Sequence, residues 1–269
     1  MFVYYYNNTL TASLKYACYL LFFMLISACT TTPAPSNTTK PQQPIIKIAA
    51  AASTQPVLKA LQAHYQQEQE VLFENYVQAS GKLTAQIEQG AAIDIFLSAD
   101  STYPAYLEQQ GRTALPPVVY ARGSLALWSR TTPLPVSLLA LQLQPHQRLV
   151  LADPKAAPFG QLAQAALQET GLAQAWKEQL VYGQNIEQVN LYLYNEVADF
   201  GLTAHSSVQH PKLKGKGQFL VLPAYQLPQA VALIQPLEGT VSSQARAFYD
   251  FLQSPQAQAI LLKYGYALP

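Results

Sequence analysis

Two patterns alternate along the first part of this chain: short, largely apolar runs, and stretches in which apolar residues recur every three or four positions. The runs at 45–51, 71–76 and 93–97 predict strands, because an apolar run between turn residues is typical of a strand buried on both faces. The helical spacing that follows each run predicts a helix. This alternation indicates an α/β fold in which a parallel sheet lies between helices.

The alternation continues, less regularly, through the rest of the chain. Further strands are predicted at 118–121, 124–128, 148–152, 200–204, 218–222 and 229–234, and further helices at 136–141, 173–179, 186–196, 241–253 and 255–264, with another ending near 170. Arg122 and Gly123 separate the first two of these strands, and we expect the chain to leave its first lobe there. The prediction is therefore two lobes, one formed by 45–122 and 227–269 and the other by 123–226, each a mostly parallel sheet flanked by helices.

The first 44 residues differ from the rest and are predicted to lie outside the fold. Lys15 is the only charged residue of the first 29, and an apolar run at 16–28 ends in Leu-Ile-Ser-Ala before Cys29. This ending resembles a bacterial lipobox, which predicts a lipoprotein signal peptide over 1–29 and a lipid anchor on Cys29; an ordinary signal peptide is the alternative. Residues 30–44 are rich in Pro and Thr and predict a disordered tether.

Charge and cysteine content exclude several classes of function. Charged residues make up only 12% of the chain, so there is no basic stripe of the kind that binds nucleic acid. Without Lys15, residues 29–269 contain 15 basic and 15 acidic side chains, so no overall field attracts an anion. Cys18 and Cys29 both lie in the leader, so we expect no disulfide, thiolate or cysteine metal site in the fold. The four histidines show no metal-ligand spacing.

The turn within residues 78–100 is the most informative local pattern. Ser80 stands where an N-cap is expected, before a helix whose buried stripe includes Leu83 and Ile87 and whose end is predicted at Gly90. A helix that begins at a Ser–Gly pair presents free backbone N–H groups and a partial positive charge, which favour an anion. A single serine at this position is explained more simply as a helix cap.

Three other places share this design. Ser53 follows the first strand, a Pro-Phe-Gly turn at 157–160 contains Phe159, and Asn185 and Ile186 begin a later helix. In open α/β sheets, ligands bind at the carboxyl ends of the strands. If the four helix starts converge, hydroxyl and backbone N–H donors surround an anion without a counter-cation.

Several blocks together resemble one known family. They are Ala50–Ser53, Ala79–Gly90 with Asp94–Asp100, Asp153–Gly160, the Asn185-Ile186 helix start and the tail from Ser254 to Tyr266. They are similar to the periplasmic molybdate-binding proteins of ABC importers, and the likeness extends over residues 45–269. The resemblance implies a two-lobed type II periplasmic-binding fold that holds molybdate or tungstate in the cleft. It implies hydroxyl and backbone donors at Ser53 and Ser80, and backbone N–H donors at Phe159 and Ile186.

Two positions depart from the pattern of that family. A tyrosine that completes the ligand shell in one branch is Ala204 here, and another branch has a tyrosine at the position of Phe159. His205 adjoins the first gap and is a candidate donor, although a histidine that faces solvent or is satisfied elsewhere is the simpler alternative. Asn185 is a further candidate. Selectivity among molybdate, tungstate and sulfate stays open at this stage.

The sequence thus predicts a monomeric solute-binding protein on the outer side of the cytoplasmic membrane, anchored through a lipidated Cys29. It is predicted to hand molybdate or tungstate to the membrane permease of an ABC importer, with no cofactor, no catalytic residue and no resident metal. A different ligand on the same fold, such as sulfate, thiosulfate or a small organic acid, is one alternative. An enzyme on this fold and a structural or adhesive lipoprotein are the others; no nucleophile or acid–base pair stands out for the former.

Overall fold

The computed structural model describes residues 43–210 and 213–269. The predicted signal peptide, the Cys29 anchor and most of the predicted tether lie outside the described residues. No helix in the described part of the chain is both long and apolar enough to cross a membrane.

Strands and helices alternate through both halves of the described chain. The strands are β1 Ile45–Ala51, β2 Leu72–Gln78, β3 Ile95–Leu97, β4 Val118–Ser129, β5 Leu149–Ala152, β6 Leu180–Gly183, β7 Phe200–Ala204 and β8 Gln218–Leu233. The helices are α1 Gln55–Tyr65, α2 Ser80–Glu88, α3 Thr102–Gln109, α4 Pro158–Glu169, α5 Leu172–Ala175, α6 Ile186–Tyr194, α7 Ser243–Phe251 and α8 Pro255–Lys263. Short 3₁₀ helices occupy Ala52–Thr54, Leu138–Ala140, Lys177–Gln179 and His205–Gln209.

The strands form one eight-stranded sheet in the order β2-β1-β3-β8-β4-β7-β5-β6. At one end, β1 pairs in parallel with β2 and β3; at the other, β5 pairs in parallel with β6 and β7. The long antiparallel pair β4–β8 joins these two parallel groups, which gives the two-lobed α/β architecture predicted from the sequence.

Both faces of β1 and β3 are covered, as their largely apolar sequences predict, whereas the edge strand β2 is mostly exposed. In β1, the side chains of Ile46, Ile48 and Ala50 pack in one core cluster with α1, α7 and α8, whereas Ala49 packs in a second cluster with α2 and α3. Side chains of successive strand residues point to opposite faces, so a strand between two helical layers is apolar at most positions. Lys47, near the amino end of β1, is the exception and is half-buried. A third cluster surrounds β5, α4 and α6 in the other group.

Two predicted boundaries are wrong in the same way. The predicted strands 118–121 and 124–128 are one strand, β4, and the predicted strands 218–222 and 229–234 are one strand, β8. Gly123 lies within β4 and does not separate two strands: a Cβ there would clash with the side chain of Gln229, so the glycine permits close packing between the paired strands. Continuous pairing of β4 with β8 carries both strands past the expected break.

The β4–β8 pair is irregular at its middle. Ser124 pairs with Gln226, but the next residue, Leu125, pairs with Leu222, so residues 223–225 of β8 bulge out of the ladder. A bulge of this kind increases the local twist and bends the strand. The predicted lobe boundaries, 122/123 and 226/227, fall beside this irregularity and stay a prediction. Elsewhere, the predicted helix at 136–141 is only a 3₁₀ turn, and β6 is a strand that the sequence pattern did not indicate.

Candidate functional site

A small cavity lies where the carboxyl ends of strands from both parallel groups meet. It is lined by Ala51, Ala52, Ser53, Ala79, Ser80, Ala99, Ala157, Pro158, Phe159, Asn185 and Ile186. Its volume is about 10 Å³, which is the space for the centre of roughly one water molecule. The structure therefore brings together Ser53, Ser80, Phe159, Asn185 and Ile186, five of the residues selected from the sequence.

Ser53 lines this cavity and has an unused hydroxyl. It lies in the 3₁₀ helix after β1, is 1% exposed, and its Oγ has no hydrogen-bond partner among the described residues. Its carbonyl, in contrast, accepts from Oγ of Ser206 at 2.9 Å and from the hydroxyl of Tyr266 at 3.3 Å. A buried hydroxyl without a partner costs free energy, and such a group in a native protein usually marks a site for a ligand or water.

Ser80 is not the helix cap that the sequence predicted. The N-cap of α2 is Ala79, Ser80 is the first helical residue, and no side chain caps this helix. The Ser80 Oγ instead accepts a hydrogen bond from the backbone N–H of Ala99 at 3.1 Å, across the turn after β3. Because that bond uses the oxygen as acceptor, the hydroxyl proton stays free to be donated to a ligand.

Two more helices begin at the cavity from the other parallel group. Phe159 is the second residue of α4, after Pro158, and Ile186 is the first residue of α6. Backbone N–H groups in the first turn of a helix have no intrahelical acceptor, and they carry the positive end of the helix dipole. Asn185 is the N-cap of α6, and its Oδ1 accepts from the N–H of Gln188 at 3.0 Å. Asn185 therefore orders the helix start with its side chain.

The cavity surface is mostly apolar and electrically neutral. Each lining residue is a small apolar residue, a serine, an asparagine, a proline, a phenylalanine or an isoleucine, so none carries a formal charge. The nearest carboxylate along the chain is Asp100, which follows the lining residue Ala99. It accepts from Oγ of Ser98 at 3.1 Å and from the N–H of Tyr103 at 3.4 Å, and burial raises its pKa. The donors at the cavity thus suit a group that only accepts hydrogen bonds.

The two sides of the cavity are in direct contact beside it. The N–H of Gly81, next to Ser80, donates to the carbonyl of Ala156 at 3.0 Å. One residue further, Nζ of Lys82 donates to Oε1 of Gln184 at 3.3 Å. Both contacts join α2 to the segments that precede α4 and α6. The cavity is therefore held in a closed arrangement.

His205 does not reach the cavity. Its Nδ1 lies 3.1 Å from the carbonyl oxygen of Gly265, and its ring packs against Phe219 with centroids 5.6 Å apart. Burial lowers its pKa, so the neutral imidazole is favoured. Of the alternatives in the sequence analysis, a histidine satisfied elsewhere is the one the structure supports. Ala204 before it is fully buried at the end of β7 and adds no donor.

A larger groove of about 470 Å³ lies at the opposite, amino ends of β1 and β3. Two of its charged groups hold structural elements in place. Nη2 of Arg112 donates to the carbonyls of Ile87 at 2.6 Å and Glu88 at 3.2 Å, in the last turn of α2. Asp94 accepts from the N–H of Lys47 at 2.7 Å. In the described part of the chain, no cluster of three or more His, Cys, Asp or Glu residues is placed to hold a metal ion. The small cavity is therefore the better candidate site.

The sequence analysis does not identify Ser206 and Tyr266 as residues that contact the site. Ser206 and Tyr266 both bind the carbonyl of Ser53, yet they lie 153 and 213 residues away from it along the chain. Nothing in the local pattern around Ser206 indicates this contact. For Tyr266, the only sign was the resemblance of the C-terminal tail to the same family.

Comparison with known proteins agrees with this geometry. The family model described as bacterial extracellular solute-binding protein matches residues 46–267. The molybdate-binding protein ModA of Azotobacter vinelandii is 30% identical over 226 residues, which cover 83% of this chain and 90% of that protein. ModA of Rhodobacter capsulatus is 32% identical over 189 residues, 70% of this chain and 74% of that protein.

A solved structure supports the same relationship. The periplasmic molybdate-binding protein of Azotobacter vinelandii superposes with a TM-score of 0.75 at 27% sequence identity, and the match covers 83% of this chain and 99% of that one. The shared fold therefore extends over nearly all of the described residues.

Proposed function

This chain belongs to the family of bacterial extracellular solute-binding proteins, and we propose that it captures molybdate or tungstate outside the cytoplasmic membrane and delivers it to the permease of an ABC importer. The observation that carries the proposal is the neutral cavity at which the unpartnered Ser53 hydroxyl, the Ser80 hydroxyl and the starts of α4 and α6 meet. The named relatives with molybdate-binding function support this choice of ligand.

The donor set matches the chemistry of a fully ionised oxyanion. Molybdate and tungstate have only acceptor oxygens, and the candidate donors are the hydroxyls of Ser53 and Ser80 and the backbone N–H groups of Phe159 and Ile186. A hydrogen bond to a charged group contributes about 1.5–3 kcal/mol, and each helix dipole about 0.3–1 kcal/mol. Four or more such bonds reach the roughly 8 kcal/mol of micromolar binding after part is lost to desolvation and ordering.

The size of the cavity favours a small inorganic ion over an organic solute. Sites for drug-sized and cofactor-sized molecules measure about 300–1,000 Å³. The cavity here is about 10 Å³, and the lobes already touch beside it through Gly81 and Ala156. A sugar, peptide or organic acid therefore requires a much wider cleft, whereas one tetrahedral ion requires only a slight separation of the same walls.

Capture proceeds by closure of two lobes, 45–122 with 227–269 and 123–226, around the ion. The bulge at residues 223–225 of β8 lies between the two parts of the β4–β8 pair and is a suitable hinge, because its residues are outside the ladder. The Gly81–Ala156 and Lys82–Gln184 contacts form when the lobes close. The closed form is the state that the permease receives.

The proposal includes the location of the protein. A lipid on Cys29 anchors a monomer to the membrane, and residues 30–44 give the lobes reach toward the permease. The family of extracellular binding proteins supports export from the cytoplasm. Labelling of the chain with a radioactive or alkyne fatty acid, with Cys29→Ser as the unlabelled control, tests the anchor.

The decisive experiment is calorimetric titration of the purified chain with molybdate, tungstate and sulfate in parallel. Saturable binding of molybdate and tungstate at micromolar or lower concentration, with sulfate at least a hundredfold weaker, is the expected result. Preference for sulfate or thiosulfate assigns the same site to another oxyanion. No heat with any of the ions refutes the proposed function.

A further inference from the structure

The backbone around Ser53 is fixed from behind by two buried hydroxyl groups. The Ser53 carbonyl oxygen accepts from Oγ of Ser206 at 2.9 Å and from the hydroxyl of Tyr266 at 3.3 Å. All three residues are at most 4% exposed. A carbonyl oxygen has two lone pairs, so these two donors satisfy it completely and leave it nothing to accept from the ligand side.

We propose that Tyr266 and Ser206 are positioning residues of the oxyanion site, an inference that rests on the proposed function. They hold the Ser53 carbonyl away from the cavity, so that the Ser53 residue presents its side-chain hydroxyl to the ion and not its carbonyl oxygen. A carbonyl turned toward an anion repels it, whereas a hydroxyl held there donates to it. The two residues touch no ligand atom and act through Ser53.

Tyr266 is itself fixed by the contacts of its neighbours along the chain, so it can hold the Ser53 carbonyl in place. On one side, the carbonyl of Gly265 lies 3.1 Å from Nδ1 of His205. On the other, Arg122 and Ala267 exchange two backbone hydrogen bonds at 2.7 and 2.9 Å, which attach the C-terminal tail to β4. Burial raises the pKa of the Tyr266 hydroxyl, so the hydroxyl stays protonated and can donate a hydrogen bond at neutral pH. The tail is thus a fixed support for the Ser53 turn.

Tyr249 provides a matched control. Its hydroxyl donates to the carbonyl of Pro116 at 3.2 Å, it is 3% exposed, and it lies in the same core cluster as Tyr266. Tyr266→Phe and Tyr249→Phe therefore remove the same group from the same kind of bond. The two variants differ in the carbonyl that loses a donor. For Tyr266→Phe it is the carbonyl of Ser53, which lines the cavity, and for Tyr249→Phe it is the carbonyl of Pro116, which does not.

The test measures molybdate affinity and thermal midpoint for the full chain and both variants. Tyr266→Phe is expected to weaken molybdate binding about three- to tenfold, and Tyr249→Phe to leave it unchanged, although each variant loses one hydrogen bond from a tyrosine hydroxyl to a backbone carbonyl. A purely structural hydroxyl predicts equal, negligible effects on affinity. Tyr266→Phe with wild-type affinity, or with no greater loss than Tyr249→Phe, overturns the inference.

A double-mutant cycle with Ser53→Ala tests whether Tyr266 acts through Ser53. We expect Tyr266→Phe to cost less affinity in the Ser53→Ala background, because one of the donors it positions is already gone. An equal loss in both backgrounds overturns action through that hydroxyl. If Tyr266→Phe does not fold, Ser206→Ala carries the same expectation. A wild-type chain that binds none of the three ions refutes the proposed function and this inference, whereas binding with an unaffected Tyr266→Phe variant refutes the inference alone.

Discussion

The substitution Ser53→Ala tests whether the Ser53 hydroxyl binds the ligand or stabilises the fold, because the two roles predict opposite changes in the stability of the ligand-free protein. The Ser53 Oγ is buried and has no partner among the described residues, so in the ligand-free protein it contributes a desolvation cost and no hydrogen bond. Removing it eliminates that cost. In the complex with an oxyanion, the same change removes one donor. Affinity should therefore fall while the stability of the ligand-free protein is kept or increased.

The magnitudes follow from the burial and from the charge of the ligand. One hydrogen bond to a charged group contributes about 1.5–3 kcal/mol, and tenfold in affinity is about 1.4 kcal/mol, so binding should weaken about 10- to 150-fold. Relief of one buried unsatisfied hydroxyl is worth at most about 1–3 kcal/mol. In a domain of this size each kcal/mol changes the thermal midpoint by roughly 2–4 °C, so an increase of up to several degrees is expected.

Ser80→Ala is the matched comparison, because Ser80 makes a protein hydrogen bond that Ser53 does not. Its Oγ accepts from the N–H of Ala99, so the alanine variant leaves that buried N–H unpaired and should lower the midpoint as well as the affinity. Calorimetric titration with molybdate and thermal unfolding without ligand measure both quantities. A Ser53→Ala variant with unchanged affinity, or with a midpoint several degrees below wild type, refutes the reasoning.

Two further changes test closure and pH dependence. Gly81→Ala places a Cβ 2.8 Å from the hydroxyl of Tyr103 and 3.0 Å from the carbonyl of Ala156. The variant should therefore hinder the contact between Gly81 and Ala156 and weaken molybdate binding about tenfold. Unchanged affinity in a calorimetric titration contradicts this expectation. Burial lowers the pKa of His205 below the ordinary 6.5, so its contribution to stability is complete above pH 6.5 and is lost as the pH falls toward its folded pKa. Thermal midpoints of wild type and His205→Asn should diverge in their pH dependence only below about pH 6.5, and parallel profiles across that range disprove the assignment.

The sequence alone determined the local chemistry of the site. Apolar periodicity places strand ends and helix starts to within a few residues, so Ser53, Ser80, Phe159 and Ile186 were each identified at a strand-to-helix turn. Within each parallel group the carboxyl ends of the strands lie on the same side, which brings Ser53 close to Ser80 and Phe159 close to Ile186. The two groups run in opposite directions across the antiparallel β4–β8 pair, so their meeting at one cavity is set by the tertiary structure. These conclusions depend on short-range patterns and on one general rule of topology.

The tertiary structure decided which partners these residues have. Ser80 does not cap its helix, because Ala99 lies close enough to donate to it once β3 is in place. The pairing of β4 with β8 overrides the predicted break at Arg122 and Gly123, because hydrogen bonds along both strands outweigh a local preference. Ser206 reaches Ser53 from the 3₁₀ helix that follows β7, and Tyr266 reaches it through the packing of the C-terminal tail. Hydrogen bonds between distant segments depend on distances that the fold sets, and no local pattern of residues records those distances.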